Sequence, residues 1–581
     1  MDDTGAPNYY DSPSKSDSVD LTVTNIIYVD ASVSGGKDDG SSWANAFDSL
    51  QEALGAAESA GVTGNEIWVA DGTYYPDEGT GHTNDDRTEA FELVANIAVY
   101  GGFNGTETTR SSRDPATNVA ILSGDIDKDS TLDSDNSYNV VVGATDATID
   151  GFTITMGYAD GSFPYDSGGG MYNEDVSPTV TDCEFTDNEA VYWGGGMWNY
   201  DHSSPTVTNC TFSNNNSSYL GGGMCNHYYS SPTVTDCNFS NNTAYASGGG
   251  VYNSTQSSPT ITDCAFIENE AQSGAGICDT TDCSSVVTNC TFSSNEAGYS
   301  GGGGIFNYKN SATITNCTFK ENSTTGIGGG MRNAEVHSIT VENCVFSGNT
   351  AETAGGGVCN YYVYTSSFTN CSFSNNEAGS GGGMFNWDSD PAVTNCCFSG
   401  NAAELYGGGM YNSQSSDFET TTLTNCTFAG NTAGTSGGGL QSLHYTYESV
   451  TVRAINCIFW DNGDNVNRFP EDTADVRWSY SNIEDSNGSG DGWNDHFGTD
   501  GGHNIDIDPN FVDPNDPDGD DDILGTSDDG LQLSAGSPCI DKGANYAISE
   551  PNDITGSPRK VDGDGDQTVT VDMGAYEYQG S

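Results

Sequence analysis

Three acidic stretches of the sequence carry aspartates at alternate positions, a spacing that could gather carboxylates around one cation. Alternating carboxylates separated by short turns can converge on a hard cation, as in the first half of an EF-hand loop. We therefore predict structural calcium in these stretches, with a plain solvated acidic loop as the alternative. The predicted ligands are Asp125, Asp127 and Asp129; Asp516, Asp518, Asp520 and Asp522; and Asp562, Asp564 and Asp566 with Asp572. The third stretch departs from the EF-hand pattern because its twelfth position is Met573.

A second candidate for binding is a recurring aromatic position between a repeated triple glycine and a repeated asparagine. The position is predicted to face outward, where rings could stack on sugars or pack against another subunit. Stacking of these rings on one another along the chain is the alternative. The predicted binding surface consists of Tyr172, Trp198, Tyr252, Phe306, Phe385 and Tyr411, with Tyr200, Tyr228, Tyr229, Tyr308, Tyr361, Tyr362 and Trp387 nearby.

The sequence shows little that could form a catalytic centre. A lyase acting on uronates needs Arg or Lys to bind the carboxylate and remove a proton, yet residues 168–462 contain only Lys309, Lys320, Arg332 and Arg453, which are dispersed. The seven histidines are scattered as well. We expect a non-enzymatic structural or adhesive protein that could self-associate into filaments, with a polysaccharide lyase or glycoside hydrolase as the alternative.

The elements that would position these residues form a tandem repeat. A Cys-x-Phe pair recurs eleven times, and the first nine cysteines are 25 to 27 residues apart. A fixed period in this range indicates a solenoid, a propeller or an array of repeats. The pieces between the turns are three to five residues long and rich in Val, Thr and Phe, without a helical period, so the repeat predicts β-structure.

Each repeat carries three polar turn positions. The residue before every repeated cysteine is Asn or Asp, which tolerate a left-handed backbone better than other non-glycine residues and predict a corner. Two further asparagine columns follow the Phe and the triple glycine, and stacked amides can hydrogen-bond along an axis. We predict an all-β, right-handed parallel β-helix with three short strands per rung of about 27 residues, and an N-terminal helix, residues 48–60, that caps its open end.

The cysteines of the repeat are predicted to pack inward as small hydrophobes, because vertically stacked cysteines are poorly spaced for disulfides. Three others, Cys225, Cys278 and Cys359, are predicted to face outward. A disulfide between Cys278 and Cys283 could close a short loop.

The Phe-x-x-Asn and Gly-Gly-Gly-Met signatures, from Gly168 to Asn462, resemble the repeats of polymorphic outer-membrane proteins within the pectin-lyase-like β-helix superfamily. The segments around Trp68-Val69-Ala70-Asp71-Gly72 and Asp572-Met573-Gly574-Ala575-Tyr576 resemble the first and last modules of secreted bacterial β-helix proteins. The resemblance implies an extracellular or cell-surface protein. We divide the chain into a flexible segment or linker (1–25), an N-terminal cap with the first rungs (26–147), regular repeats (148–462) and C-terminal rungs with an Asp-rich capping module (463–581).

Charge excludes several partners. The 83 acidic and 15 basic residues give a formal net charge of −68, which would repel nucleic acid and anionic lipid. There is no run of eighteen apolar residues, so no membrane-spanning segment is predicted. Residues 1–20 are polar and do not resemble a signal peptide. The partners that remain are another copy of the chain or a glycan or other cell-surface ligand.

Overall fold

The computed structural model describes residues 26–60, 65–414, 420–444, 450–463, 466–468 and 475–580. Within these ranges the chain winds into a solenoid whose strands pair in parallel with the next turn, which confirms the predicted parallel β-helix. The strand count was wrong, since the strands form four sheets rather than three. The additional strand is short and lies between the second asparagine column and the triple glycine. The predicted segment 1–25 lies outside the described residues.

We number the sheets 1 to 4 in the order in which the chain passes through a rung. Sheet 1 contains Ile26–Val29, Glu66–Ala70, Ala98–Phe103, Thr148–Asp150, Thr179–Thr181, Thr206–Thr208, Thr233–Thr235, Thr260–Thr262, Val286–Thr288, Ser311–Thr315, Ser338–Glu342, Ser366–Thr369, Pro391–Thr394, Thr421–Thr424, Val450–Ile455, Asp475–Ser479 and Thr499–Asp500. Sheet 2 contains Gly72–Tyr74, Ala120–Ser123, Phe152–Thr155, Glu184–Thr186, Thr211–Ser213, Asn238–Ser240, Ala265–Ile267, Thr291–Ser293, Thr318–Lys320, Val345–Ser347, Ser372–Ser374, Cys397–Ser399, Thr427–Ala429, Ile458–Trp460 and Asn482–Ile483.

Sheets 3 and 4 complete each rung. Sheet 3 contains Tyr158–Ala159, Glu189–Ala190, Asn216–Ser217, Thr243–Ser247, Glu270–Ser273, Glu296–Gly301, Ser323–Thr324, Thr350–Ala354, Glu377–Ser380, Ala402–Tyr406 and Thr432–Ala433. Sheet 4 contains Phe91–Glu92, Val141–Val142, Met171–Glu174, Met197–Tyr200, Met224–His227, Val251–Asn253, Ile277–Thr280, Ile305–Tyr308, Met331–Ala334, Val358–Tyr361, Met384–Trp387, Met410–Gln414, Leu440–His444 and Val466–Arg468. Short 3₁₀ turns occur at Trp43–Asn45, Arg110–Ser112, Asp495–Phe497, Gly519–Asp521 and Asn545–Ala547.

The corner between sheets 1 and 2 has the predicted geometry. All eleven residues that precede the repeated cysteines adopt a left-handed backbone, with φ between +51° and +56°. The turn lets the Val or Ile of sheet 1 and the Cys and Phe of sheet 2 all point into one core, which alternation along a single strand would forbid. The period of the sequence therefore sets the register of every rung on the next.

Side chains of one type stack along the core. The phenylalanines from Phe185 to Phe459 lie face to face, with ring centroids 4.3 to 4.9 Å apart between neighbouring rungs. The buried asparagines from Asn188 to Asn462 form an amide ladder, in which each Nδ2 donates to Oδ1 of the next rung at 2.8 to 3.0 Å. The ladder supplies the buried polar groups with the partners that they need.

The core is covered where the rungs begin and where they end. At the N-terminal side, helix α1 (Leu50–Ala60) buries Leu50, Ala53 and Leu54 against the first strands. Its cap is Ser49, whose Oγ accepts from the Gln51 backbone N–H at 3.1 Å, so the predicted start at Asp48 was two residues early. At the other side, the buried Trp478 ring packs edge-on against Phe459.

The C-terminal module, residues 508–579, folds back along the outside of the solenoid. It packs on sheet 2 and forms a second apolar cluster with Cys397, Ala429 and Ile458. It also bonds to the neighbouring corner, where Asn395 Nδ2 donates to the Asn552 carbonyl at 2.8 Å. Apart from α1, none of the helices in the described part of the chain exceeds three residues, and none is long and apolar enough to span a bilayer.

All 17 cysteines are buried and free. The repeated cysteines pack inward as predicted, and each Sγ lies near the carbonyl two residues before it, as in Cys210 and the Thr208 carbonyl at 3.3 Å. The possible Cys278–Cys283 disulfide is not formed. Cys225, Cys278 and Cys359 face away from the core as predicted. They are nevertheless buried, because the glycine turn that precedes each of them lies over its side chain.

Candidate binding surfaces and metal loops

The predicted aromatic binding surface is wrong as an exposed stripe of six rings. Its members occupy the outward position of sheet 4, but Tyr172, Trp198 and Tyr411 are buried and the other three, Tyr252, Phe306 and Phe385, are half-buried. Some rings stack on one another instead, such as Phe385 on Tyr411 with centroids 5.2 Å apart.

The triple glycine explains why this column is covered. The first glycine of each triplet turns with a positive φ, and the turn lies directly on the outward side chain. A Cβ on Gly248 would come within 2.7 Å of Tyr252 Cβ, and one on Gly381 within 2.8 Å of Phe385 Cβ. The glycines therefore fold the chain over the column, which pattern reasoning about a single strand could not anticipate.

Exposed rings do collect at the corner between sheets 4 and 1 of the first regular rungs. We call this group the aromatic corner and define it as Phe163, Tyr200, His202, Tyr228 and Tyr229. Three of its side chains are 44 to 54% exposed. The His202 and Tyr229 rings stack with centroids 5.1 Å apart, and Tyr200 meets Tyr228 edge to face at 5.7 Å. The sequence pointed to the three tyrosines only as neighbours of the column, and to neither Phe163 nor His202.

The three predicted calcium stretches fare differently. Asp125, Asp127 and Asp129 converge as predicted, each offering an oxygen within 4.8 Å of the others. Asp562 and Asp564 also converge, but their third partner is Asp541, more than twenty residues earlier in the chain. Asp566 instead accepts from the Thr568 backbone N–H at 2.7 Å.

The middle stretch does not form the predicted four-carboxylate group. Asp516, Asp518, Asp520 and Asp522 do not form a group whose oxygens all lie within 4.8 Å of one another, and the group that meets this distance nearby consists of Asp521, Asp528 and Asp529. A further trio of Asp38, Asp48 and Glu52 lies beside α1. The i, i+4 spacing of its last two members at the helix start was the only sequence signal for it.

Asp572 is not a member of the group formed by Asp541, Asp562 and Asp564. It is 1% exposed, and its two oxygens accept from the backbone N–H groups of Asp541 at 2.7 Å and Tyr578 at 2.6 Å. Its neighbour Glu577 lies 3.6 Å from the guanidinium of Arg559, which is fully buried. Burial raises the pKa of Asp572 and of Glu577. The group fixes the fold of the C-terminal module.

The asparagines that follow the triple glycine form a second amide ladder on sheet 4, as in Asn199 Nδ2 donating to Asn226 Oδ1 at 2.8 Å, and one rung interrupts it. Asp279 occupies the position of the ladder asparagine, is fully buried, and accepts from Asn253 Nδ2 at 2.7 Å. A carboxylate cannot donate onward, and Asn310 Nδ2 donates to Asn307 Oδ1 in its place at 3.0 Å. Burial raises the pKa of Asp279 to about 6.

A groove runs between sheet 2 and the C-terminal module. Its volume is about 490 Å³, and its lining includes Trp460, Asp461, Asp508 and Phe511. Two carboxyl groups and two aromatic rings thus share one cleft, a combination compatible with a sugar ligand.

Uniform parallel rungs, stacked core ladders and left-handed corners define a β-helix protein of the solenoid class. The family described as "Right handed beta helix region" matches residues 138–312 and 303–469, more than half of the chain. The chain therefore belongs to this family. No curated protein sequence matches it significantly.

Three of the solved structures that the chain matches are a pectate lyase, a mannuronan C-5 epimerase and a rhamnogalacturonan lyase. Pectate lyase Pel9A is 13% identical with a TM-score of 0.27, over 95% of this chain and 96% of that one. The A-module of the Azotobacter vinelandii mannuronan C-5 epimerase AlgE6 is 14% identical with a TM-score of 0.26, over 72% and 94%. A rhamnogalacturonan lyase is 10% identical with a TM-score of 0.20, over 88% and 96%. At these values the similarity supports no statement about activity.

Proposed function

We propose that this chain is an extracellular β-helix scaffold that binds a neutral glycan, without cleaving it, through the aromatic corner. The observation that carries the proposal is the pair Tyr228-Tyr229. Both residues have a left-handed backbone, with φ of +50° and +59°, and both rings are exposed. The equivalent pairs of the neighbouring rungs, Asp201-His202 and Thr255-Gln256, have the same left-handed backbone, so the turn of the repeat sets the conformation and the two tyrosines supply the exposed ring faces.

The corner offers the features of a sugar-binding surface. Exposed ring faces bind the apolar faces of sugars, and polar groups beside them can bond to hydroxyls. Asp201 pairs with His202 at 2.8 Å and both remain exposed. Within the corner, the Phe163 and Tyr200 rings pack against the fully buried Trp198, which holds them in place.

The charge of the protein selects the kind of glycan. With a net charge of −68, the surface repels polyuronates at ordinary salt, so the ligand is a neutral polysaccharide. The negative charge of the protein thus distinguishes neutral polysaccharides from acidic polysaccharides, which it repels.

Binding to insoluble neutral polysaccharides, such as cellulose, xylan and chitin, tests the proposal, with polygalacturonate as the anionic comparison. The variant Tyr228→Asn/Tyr229→Asn removes both rings and suits the left-handed backbone better, so it should fold as well as the parent. We expect its affinity for the neutral glycan to fall about tenfold or more, since each ring contributes on the order of 1 kcal/mol. The matched control Tyr364→Asn removes a tyrosine that is 75% exposed elsewhere and should bind normally.

Two outcomes would contradict the proposal. One is undiminished binding by the double variant, and the other is a preference for polygalacturonate. New reducing ends in the bound polysaccharide would contradict its non-catalytic part.

The groove between sheet 2 and the C-terminal module favours a second candidate, a glycoside hydrolase. Hydrolysis of a glycosidic bond commonly uses a pair of carboxyl groups, one as acid and one as base or nucleophile, and Asp461 and Asp508 line this groove. Release of reducing ends that is abolished by Asp461→Asn or Asp508→Asn, but not by Asp491→Asn on an exposed loop, would favour this candidate. Activity unchanged in all three variants would exclude this groove as its site.

Filament assembly remains a prediction that the proposal does not require. Both sides of the core, at α1 and at Trp478, are covered by apolar side chains. End-to-end association would have to displace this cover, so any self-association is expected through lateral surfaces. Electron microscopy of the purified protein distinguishes single rods from fibres.

A further inference from the structure

The loop that follows the strand Ala120–Ser123 gathers three carboxylates on one side. Asp125, Asp127 and Asp129 each place an oxygen within 4.8 Å of the other two. Asp127 and Asp129 are exposed, whereas Asp125 lies at the base of the loop. Like charges at this separation repel one another unless a cation lies between them.

Asp125 is buried in a way that its protein partners do not explain. It is 7% exposed, and its Oδ2 accepts from the Ser130 backbone N–H at 3.1 Å. Its Oδ1 is buried without a hydrogen-bond partner. Burial of a carboxylate oxygen costs free energy unless the oxygen is paired or coordinates a metal. The Asp125 Oδ1 therefore lacks the partner that its burial requires.

Lys128, which lies in the same loop, does not neutralise this oxygen. Lys128 turns away from the trio, and its Nζ lies 2.5 Å from Glu78 and 4.4 Å from the centre of the Tyr75 ring. Across the described ranges, no ion pair involves any of the three aspartates.

We propose that Asp125, Asp127 and Asp129 bind one Ca²⁺, which the Asp125 Oδ1 contacts from the buried side and the two exposed carboxylates close from solvent. Hard oxygen ligands and a loop that can adjust its geometry suit Ca²⁺ better than Mg²⁺, which demands near-ideal octahedral geometry and retains its water. The site is independent of the proposed glycan binding. Its expected role is structural, because an ion that binds only the folded chain stabilises it.

Hydrogen exchange of the full chain, followed by mass spectrometry, gives a local readout that the other acidic groups do not affect. In 1 mM Ca²⁺, we expect the backbone of residues 124–136 to exchange at least about tenfold more slowly than in EDTA, because bound ligands suppress local opening. Mg²⁺ at the same concentration should protect the loop less.

Two variants and one control make the test specific. Asp125→Asn keeps the bond to Ser130 and should abolish the Ca²⁺-dependent protection. Asp127→Asn changes an exposed residue, so it tests the site even if Asp125→Asn folds poorly. Asp146→Asn removes the same charge from an exposed turn and should leave the protection intact. A loop that exchanges equally with Ca²⁺ and EDTA in the parent, or protection that survives Asp127→Asn unchanged, would overturn the proposal.

Discussion

The outer face of sheet 2 is open to solvent in some rungs and covered by the C-terminal module in others. In the rungs from Glu184 to Val345 its outward side chains are exposed or half-buried, and in the rungs from Ser372 to Ile458 the C-terminal module covers them. The inward face does not change, since Phe319 and Phe428 stack on their neighbours in the same way. Comparison of the open and the covered rungs distinguishes the residues that the repeat needs to form its core from those that it needs to pack against the C-terminal module, which we call the cover.

The covered rungs differ from the open ones in their outward residues. The open positions carry mostly polar or small residues, and the covered ones are Ser372, Cys397, Thr427 and Ile458. The corner asparagines follow the same division, because Asn316 and Asn343 are exposed whereas Asn395 and Asn456 are buried under the module. The inward residues, which are similar in all rungs, thus determine the coil, whereas the outward residues differ according to whether the C-terminal module packs on them.

The largest expected effect comes from releasing the cover. Arg559→Ala leaves the buried Glu577 and Asp572 without a cation and removes the bond from Nη2 to the Ala575 carbonyl, which should cost the module about 3–5 kcal/mol. The module should then detach and expose Cys397 and Cys539, while the inward cysteines stay protected. Thiol titration of the native protein should count the newly reactive cysteines.

Lys542→Ala is the control for this change. It removes a cation from the same module, but one whose side chain is 51% exposed. It should release no thiol. If Arg559→Ala also released none, the cover would not depend on the buried ion pair.

A pair of matched truncations compares the open and the covered rungs directly. Ile458 is 1% exposed and approaches Gly574 closely, so Ile458→Ala should lower the free energy of unfolding by about 2–4 kcal/mol. Val345 is the outward residue of an open rung and half-buried, so Val345→Ala should cost less than about 1 kcal/mol. Urea unfolding measures both. Equal losses would mean that the cover adds nothing to the stability of the rungs beneath it.

Asp279 is an exception to the uniform interior, and its effect on the free energy of unfolding should depend on pH. The pKa of Asp279 is raised to about 6 by burial, so above this pH the folded chain holds a buried carboxylate that an unfolded chain would expose to water. The penalty is present above pH 6, decreases as the pH falls through 6, and vanishes below the unfolded pKa of about 4. Asp279→Asn should therefore raise the free energy of unfolding by about 1–3 kcal/mol at pH 7.5 and by much less at pH 4.

The converse variant Asn333→Asp introduces the same carboxyl two rungs away, where the ladder is complete. It should destabilise the protein at pH 7.5 and lose that effect in acid. A pH-independent difference between Asp279→Asn and the parent would show that the carboxyl is not the cause.

The interior was predictable from the sequence, and the exterior was not. Asn209 and its equivalents predicted the corners because the left-handed backbone is a local property of a residue type. The cover of Trp198 depends on how the glycine turn folds over it, and the meeting of Asp541 with Asp562 depends on a return of the chain from a distance. Such contacts between separate segments leave no periodic signal. The change of outward residues at Cys397 and Ile458 was visible, but it acquires meaning only once the outward positions are known.

The smallest expected effect isolates one hydrogen bond of the cover. Thr427 Oγ1 accepts from the Ala575 backbone N–H at 2.9 Å, and both groups are buried. Thr427→Val keeps the shape but leaves the N–H unpaired, which should cost about 1–2 kcal/mol. Thr318→Val makes the same change at the equivalent position of an open rung, where the side chain is only half-buried, and should be neutral or slightly stabilising because valine favours strands. If the two variants unfolded at the same urea concentration, the bond to Ala575 would contribute nothing, and the cover would be held by apolar contacts and the Arg559 group alone.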